Sequence, residues 1–396
     1  MKLKVAIVFG GISTEHEVSI ISAIQAMENI DKNKYDIYPV YIDKKGVFYY
    51  DEKALFNINS FKKINETIKK CTKVIFINDN EKVYLKRQNK KIFLNDIVSL
   101  IDVVFPIVHG TNVEDGNLQG FFKTIGVPCV GSDCIASAIG MDKYVMKKFL
   151  KSENINVIDG SRYDIVDYKN VENIINDVEK KYTYPVIVKP VNLGSSIGIT
   201  KAKDRDELLN SIELAFSFSN LLIIERAITD IKEINCAVLG NRFDCIASIL
   251  EEPLSSGEIL DFSDKYLSGK NKKGQANKIS GSKINSSKNS GMASLTRKIP
   301  ADIDKKTEDI IKDMAMKTFK TIGCSGVARV DFIIDKKSNE IFVNEINTIP
   351  GSLAFYLWDK IGISYKELLD RLIKISLDDY RLNKNLQYVF ESNILK

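Results

Sequence analysis

The segment from Gly326 to Trp358, GVARVDFIIDKKSNEIFVNEINTIPGSLAFYLW, holds the residues best suited to chemistry. It reads as two short strands, VARVDFIID and EIFVNEIN, joined by a polar turn. Glu345 and Asn347 stand two apart, so they share one face of their strand. If the turn sets Asp331 opposite Glu345, then Arg329 falls opposite Asn347, and one face carries two carboxylates, an amide and a guanidinium. A slip of one residue would turn Asp331 away, so the register is itself an expectation. Hard oxygen ligands of this kind suit magnesium carrying substrate phosphates better than zinc. Arg329 beside them suits a transferring phosphoryl group or a developing oxyanion. An edge hairpin with solvated charges is the alternative. The TIPGS that follows favours chemistry, because a Pro-Gly turn brings bare backbone N–H groups near the ligands.

Other elements must bring partners to this face. KVAIVFGG is a buried-type strand entering a glycine turn, and Thr14 with Glu17 has the pattern of a capping box that starts a helix. Such a helix start is an anion site, yet Glu15 and Glu17 make it better suited to a ligand ammonium. Plain helix capping is the other reading of Glu15. The loop Asn192 to Gly198 resembles phosphate-cradling loops, although it is not GxxxxGK[ST] and Lys189 precedes it. Lys189 and Glu225 each close an apolar strand, which points to a cleft. Ile101 to His109 is a further strand, and the alternation of strands and helices predicts a doubly wound α/β domain. A charged stretch separates it from the second strand between Lys44 and Asn95. A helix is expected from Ile303 to about Ile322, and an amphipathic closing helix after Trp358.

At 396 residues two or three domains are expected. The chain enters a strand at once and has no apolar run long enough to span a bilayer, so we expect a cytoplasmic protein with no membrane partner. The six cysteines are scattered without a CxxC pair, as buried reduced thiols would be. Net charge is +5, but Ser263 to Lys298 alone carries nine Lys/Arg against one Asp. The remainder is net acidic, and no aromatic stacking platform is interleaved with the basic stretch. Nucleic acid is not the expected partner. The polar segment from about 268 to 294 reads as a lid or insertion without a core of its own.

In sequence order, GGISTEHEVS, VHGTNVEDGNLQG, GMDK, KPVNLGSSIG, IIER, DKYLS, ARVDF and NEINTIPG resemble the motifs of the D-alanine–D-alanine ligases of the ATP-grasp superfamily. The resemblance covers nearly the whole chain. It implies a three-part ATP-grasp architecture, α/β and α+β, with an N-terminal substrate-binding domain (1–135), a central subdomain (136–230) and a C-terminal subdomain (231–396). It implies ATP-dependent joining of two D-alanines through an acyl phosphate, by a homodimer using two magnesium ions, with manganese as a substitute. A D-alanine–D-serine ligase and a non-catalytic ATP-binding relative are the alternatives.

The same resemblance distributes roles. Asp331, Glu345 and Asn347 would hold the metal ions. Lys143, Lys189 and Ser196 would meet the ATP phosphates. Glu225, Arg226 and Ile228 would meet adenine, and Glu233 the ribose. Glu15 would hold the first ammonium, linked to Ser195 and Tyr266, with His109 at the first-substrate pocket and His16 capping a helix. Arg329 and the Gly351 N–H would stabilise the oxyanion. Lys265, Tyr356 and Leu357 would serve the substrates. Three departures stand out. Tyr356 replaces a small hydroxyl residue at a position expected to face the second substrate's carboxylate. Val113 replaces a frequent glycine, and the insertion is long and basic. Tyr266, in contrast, is the residue of amide-forming members, whereas ester-forming members carry His.

Overall fold

The first sheet is built on Leu3–Gly10 (β1), where six consecutive residues from Val5 to Gly10 are buried, as a strand covered on both faces requires. The computed structural model describes residues 2–89, 95–194, 196–254 and 297–387. Ser195, Lys265, Tyr266 and the insertion 268–294 lie outside the described residues. β1 pairs in parallel with Tyr35–Ile42 (β2) and, on its other side, with a short strand at Val103–Pro106. Between these in sequence come Phe48–Tyr50 (β3), Thr72–Asp79 (β4), Lys82–Arg87 (β5) and Ile97–Leu100 (β6), so the Val103 strand is β7. β3 to β6 extend the sheet by antiparallel pairing, in the order β6-β5-β4-β3-β2-β1-β7. The charged stretch after Lys44 therefore conceals strands. In β4 only Val74 and Phe76 are buried, an alternation masked by Ile75 and Ile77 on the outward side.

β1 ends at Gly10, with φ of 91°, where a Cβ would lie 2.3 Å from the Ile42 carbonyl oxygen. Only glycine lets the chain leave the strand here and enter the helix His16–Asn29. The expected capping box does not form. Glu15 occupies the N-cap without a side-chain bond to the helix's first N–H groups, and Glu17 pairs with Lys44 at 2.6 Å. His16 does not cap either. It is buried, with Nδ1 2.6 Å from the Gly11 carbonyl oxygen and Nε2 3.0 Å from the Tyr41 hydroxyl. Val113 also finds its reason here, because its Cγ1 lies 2.4 Å from where a Cβ on Gly11 would be.

The second sheet consists of Gly160–Asp164 (β8), Val186–Pro190 (β9), Thr200–Ala202 (β10) and Leu221–Arg226 (β11), all antiparallel in the order β10-β9-β11-β8. Helices Val171–Lys181 and Arg205–Phe216 bury their apolar stripes with it. The third contains Ile231–Gly240 (β12), Cys245–Pro253 (β13), Arg297–Lys298 (β14), Gly326–Asp335 (β15) and Ile341–Asn347 (β16), in the order β14-β13-β12-β15-β16. Helix Lys305–Ile322 backs it. Asp304 accepts the Thr307 N–H to start this helix, and Gly323, with φ of 81°, ends it.

Two segments pack away from their sequence neighbours. Residues of the helices Cys134–Met141 and Lys143–Ser152 join the core of the third sheet. Leu353, Leu357, Trp358 and the helix Tyr365–Lys384 join the core of the first. These exchanges draw the three sheets around one cleft.

Candidate active site

The hairpin of β15 and β16 forms the floor of the cleft. Along β15, Ala328, Val330, Phe332 and Ile334 are buried in the core while Arg329, Asp331 and Ile333 alternate toward the cleft. The strands pair Arg329 with Asn347 and Asp331 with Glu345, the expected register that puts all four on one face. Beyond Asp331 the register shifts, so that Phe332 pairs with Val343. The irregularity leaves Asn344 unmatched, and its amide oxygen accepts from Lys189 Nζ at 3.3 Å. Bulges re-aim side chains in this way next to active sites. Sequence periodicity gave no sign of it.

Arg329 grips Asp331 with two bonds of 2.6 Å, from Nε to Oδ1 and from Nη2 to Oδ2. Asn347 Nδ2 donates to the same Oδ2 at 3.1 Å. Burial alone would weaken the guanidinium's hold on its proton, but the adjacent Asp331 charge outweighs it and raises the Arg329 pKa further. Lys143 Nζ stands 3.6 Å from Glu345. Lys143 owes its place to Asp142, which accepts the N–H groups of Tyr144 and Val145 and so starts the helix above the hairpin. One turn later Lys147 falls on the same face. It is buried and bonded to Glu225, whose other oxygen accepts from Lys189 Nζ at 2.8 Å. Although burial would raise the Glu225 carboxyl, the charges of Lys147 and Lys189 carry it below its ordinary value.

The third wall comes from the first sheet. Glu15 is buried at the cleft's edge, and Gly110 and Gly194 pack against it. A Cβ on either would lie within 3.0 Å of its Oε2. His109 lines the cleft with both ring nitrogens engaged, Nδ1 with the Ile349 carbonyl oxygen at 2.8 Å and Nε2 with Ser22 Oγ at 3.0 Å. Burial lowers its pKa to about 4, so the ring is neutral. Nδ1 then carries the hydrogen that the carbonyl needs, and Nε2 accepts. Glu114 accepts the N–H groups of Gly110 and Ile349 at 3.0 and 2.9 Å. Burial pushes its carboxyl up to about 8, and the Glu15 charge adds to this. Ser352 N–H donates to Ser22 Oγ at 3.0 Å. The turn from Thr348 to Ser352 is thus held by residues of the first sheet's unit, and Ser352, Leu353 and Ala354 follow it in left-handed backbone.

Together these walls enclose a cleft of about 620 Å³. Glu15, His109, Lys143, Lys189, Ser196, Glu225, Arg226, Ile228, Glu233, Arg329, Asp331, Glu345, Asn347 and Gly351 all line it. Tyr356 and Leu357 do not. The Leu357 side chain is wholly buried in the core. The Tyr356 hydroxyl turns to Glu251 at 2.9 Å, and the Arg297 guanidinium lies 4.2 Å from its ring centre. Glu251 also accepts from Arg297 at 2.7 Å and from Asn235 at 2.9 Å. Glu251 and Arg297 themselves line the cleft, so Tyr356 stands behind residues that face the substrate space. An expected direct contact from its hydroxyl is replaced by support of a second row. Lys147, Glu114, Asn344, Glu251 and Arg297 are the site residues the sequence did not single out. Of these only Lys147 left a signal, four residues after Lys143 on the helix that Asp142 starts.

Among the described residues no three His, Cys, Asp or Glu side chains gather into a preformed metal cluster. Two carboxylates and an amide on one hairpin face nevertheless fit magnesium, which keeps much of its shell for water and substrate phosphates.

Comparison with known proteins gives a consistent result. A family model described as D-ala D-ala ligase N-terminus matches residues 4–132, and one described as D-ala D-ala ligase C-terminus matches residues 149–288 and 284–374. The chain is 38% identical to a D-alanine–D-alanine ligase of Caldicellulosiruptor bescii, with 98% of each chain covered. It is 39% identical to the D-alanine–D-alanine ligase B of Clostridium tetani, covering 96% of this chain and 94% of that one. Among solved structures it is similar to the D-alanine–D-alanine ligase of Coxiella burnetii (TM-score 0.76, 27% identity, 97% and 96% covered). It is also similar to the VanG D-Ala:D-Ser ligase of Enterococcus faecalis (TM-score 0.74, 33% identity, 95% and 100% covered).

Proposed function

The chain belongs to the D-alanine–D-alanine ligase family, and on that premise we propose that it joins two D-alanines at the expense of ATP. The first carboxylate attacks the γ-phosphorus of ATP, the bond to the β-phosphate oxygen breaks, and ADP leaves. The amine of the second D-alanine attacks the resulting acyl phosphate, loses a proton, and displaces inorganic phosphate to give D-alanyl-D-alanine. The observation that carries this reading is the paired hairpin face, where Arg329, Asp331, Glu345 and Asn347 meet two lysines from above and Glu15 from the side.

In this scheme Glu15 takes the ammonium of the first substrate. Lys143, Lys189 and Ser196 receive the phosphates, Glu225 to Ile228 the base, and Glu233 the ribose. Asp331, Glu345 and Asn347 would hold two magnesium ions, which would neutralise charge on the phosphoryl oxygens when bound. Arg329 and the Gly351 N–H stabilise the oxyanion, each pre-positioned by partners that need not move during reaction. His109 and Glu114 keep the Gly351 turn in place by holding both sides of the Ile349 peptide.

The second row at Tyr356 reshapes the second-substrate side, and this favours comparing D-serine as an alternative nucleophile. Purified protein with ATP, magnesium and D-alanine should release ADP and form the dipeptide in equal amounts. Larger yields of D-alanyl-D-serine from an equimolar mixture would transfer the assignment to the serine-using branch. The family reading extends to a cytoplasmic homodimer, which light scattering should report at twice the chain mass of 44.7 kDa.

A further inference from the structure

The most deeply buried ionic cluster of the cleft contains a charge that none of these roles uses. Lys147 is 2% exposed and Glu225 1%, and neither charge can be hydrated in that position. Lys147 bonds Oε1 of Glu225 from behind, and Lys189 bonds Oε2 from the cleft side at 2.8 Å. Without Lys147, Glu225 and Lys189 would form a closed pair of zero net charge. With it, the trio carries one positive charge, and Lys189 is the member that faces the cleft beside Asn344. In so dry a place that charge is screened little by salt. Each carboxylate oxygen has more than one lone-pair site, so Glu225 can still accept from a ligand while bonded on both sides.

We infer that Lys147 is a positioning residue for the nucleotide: it neutralises Glu225 from behind, leaves the charge of Lys189 to the triphosphate, and fixes the Glu225 carboxylate toward a base that offers an amine. The inference rests on the reading of this cleft as an ATP site. Burial pulls the Lys147 ammonium down to about 8, while Glu225 works to keep it charged. A lysine in this setting tolerates no loss of its partner, which sets the design of the test.

The test is calorimetric binding of MgATP in the absence of any D-amino acid, with melting followed by circular dichroism. Lys147→Met should weaken ATP binding by about tenfold or more, the scale for truncating one partner of a buried charge pair. Lys147→Arg should stay within about threefold of wild type, because it keeps the charge. The double variant Lys147→Met/Glu225→Gln restores the trio's net charge but gives up the carboxylate that meets the base, so it should bind ATP at least about threefold more tightly than Lys147→Met while staying weaker than wild type. A purely structural lysine would lower the melting temperature of Lys147→Met without that recovery, and this would overturn the inference. If Lys147→Met alone does not fold, the double variant carries the test, since it leaves no lone buried charge. ATP affinity more than about a hundredfold below wild type in a folded double variant, beyond what the lost base contact accounts for, would then overturn it. Lys147-dependent ATP binding by a wild type that forms no dipeptide would uphold this role and sink the ligation.

Discussion

Replacing Arg329 by lysine keeps a positive charge in the cleft and removes its planar fork. Both ends of the Arg329–Asp331 pair are nearly buried, with side chains 12% and 14% exposed, and both bonds are 2.6 Å long. A lysine can supply one of them. The loss of one hydrogen bond between charged groups costs about 1.5–3 kcal/mol. The Asp331 carboxylate would keep its Asn347 contact at 3.1 Å but lose the two-bond grip that sets its plane. The proposed oxyanion contact would suffer as well, because one ammonium cannot both brace Asp331 and face a developing charge as the fork does. Removing one oxyanion donor lowers kcat by about 10²–10³. With the charge retained, about 10² is expected for Arg329→Lys, together with a higher magnesium requirement as Asp331 loosens. Coupled ADP release at several magnesium concentrations measures both, and calorimetric melting controls for folding. A kcat within about threefold of wild type at an unchanged magnesium requirement would refute the reasoning.

Glu345→Gln removes, at constant size, one of the charges that would hold magnesium, so turnover should be lost with melting nearly unchanged. Substantial turnover at saturating magnesium would argue against the hairpin as the metal site. Tyr356→Phe takes a bond from the buried Glu251 and should cost about 1.5–3 kcal/mol in denaturant titration. The second-site KM should rise only as far as Arg297 loosens, and a large KM effect at unchanged stability would instead mean that the hydroxyl reaches the substrate. Glu114 has a folded pKa of about 8 against an ordinary 4.5. Between those values the folded state keeps a proton that the unfolded state releases, so stability falls as pH rises through that window. The slope is about 1.4 kcal/mol per pH unit at most. Denaturation of wild type and Glu114→Gln at three pH values across the window should show the slope flattened in the variant, and equal slopes would contradict it.

The hairpin was legible in the sequence because a period of two survives in VARVDFIID, whereas Asp331 opposite Glu345 was an expectation that rested on the turn. The irregularity beyond Asp331 was not legible, since nothing local distinguishes Asn344 from an in-register residue. The strands β3 to β5 were hidden because they are short, lie in a lysine-rich stretch, and carry apolar residues such as Phe48, Ile75, Ile77 and Tyr84 on their outward side, which blurs the alternation. The capping pattern at Thr14 misled for a related reason. Ser13 Oγ, rather than the Thr14 side chain, accepts the Glu15 N–H at 3.1 Å while donating to the His109 carbonyl 96 residues away. Tyr356 shows the same limit. Its place behind Glu251 depends on a strand more than a hundred residues earlier, and no spacing rule reaches that far.

The most direct measurement is of the products formed when the purified protein is given ATP, magnesium and D-alanine. Mass spectrometry should find one D-alanyl-D-alanine for each ADP, with no product from L-alanine and less D-alanyl-D-serine than dipeptide of alanine when both amino acids compete. ATP turnover without dipeptide, or mixed dipeptide in excess, would contradict the account.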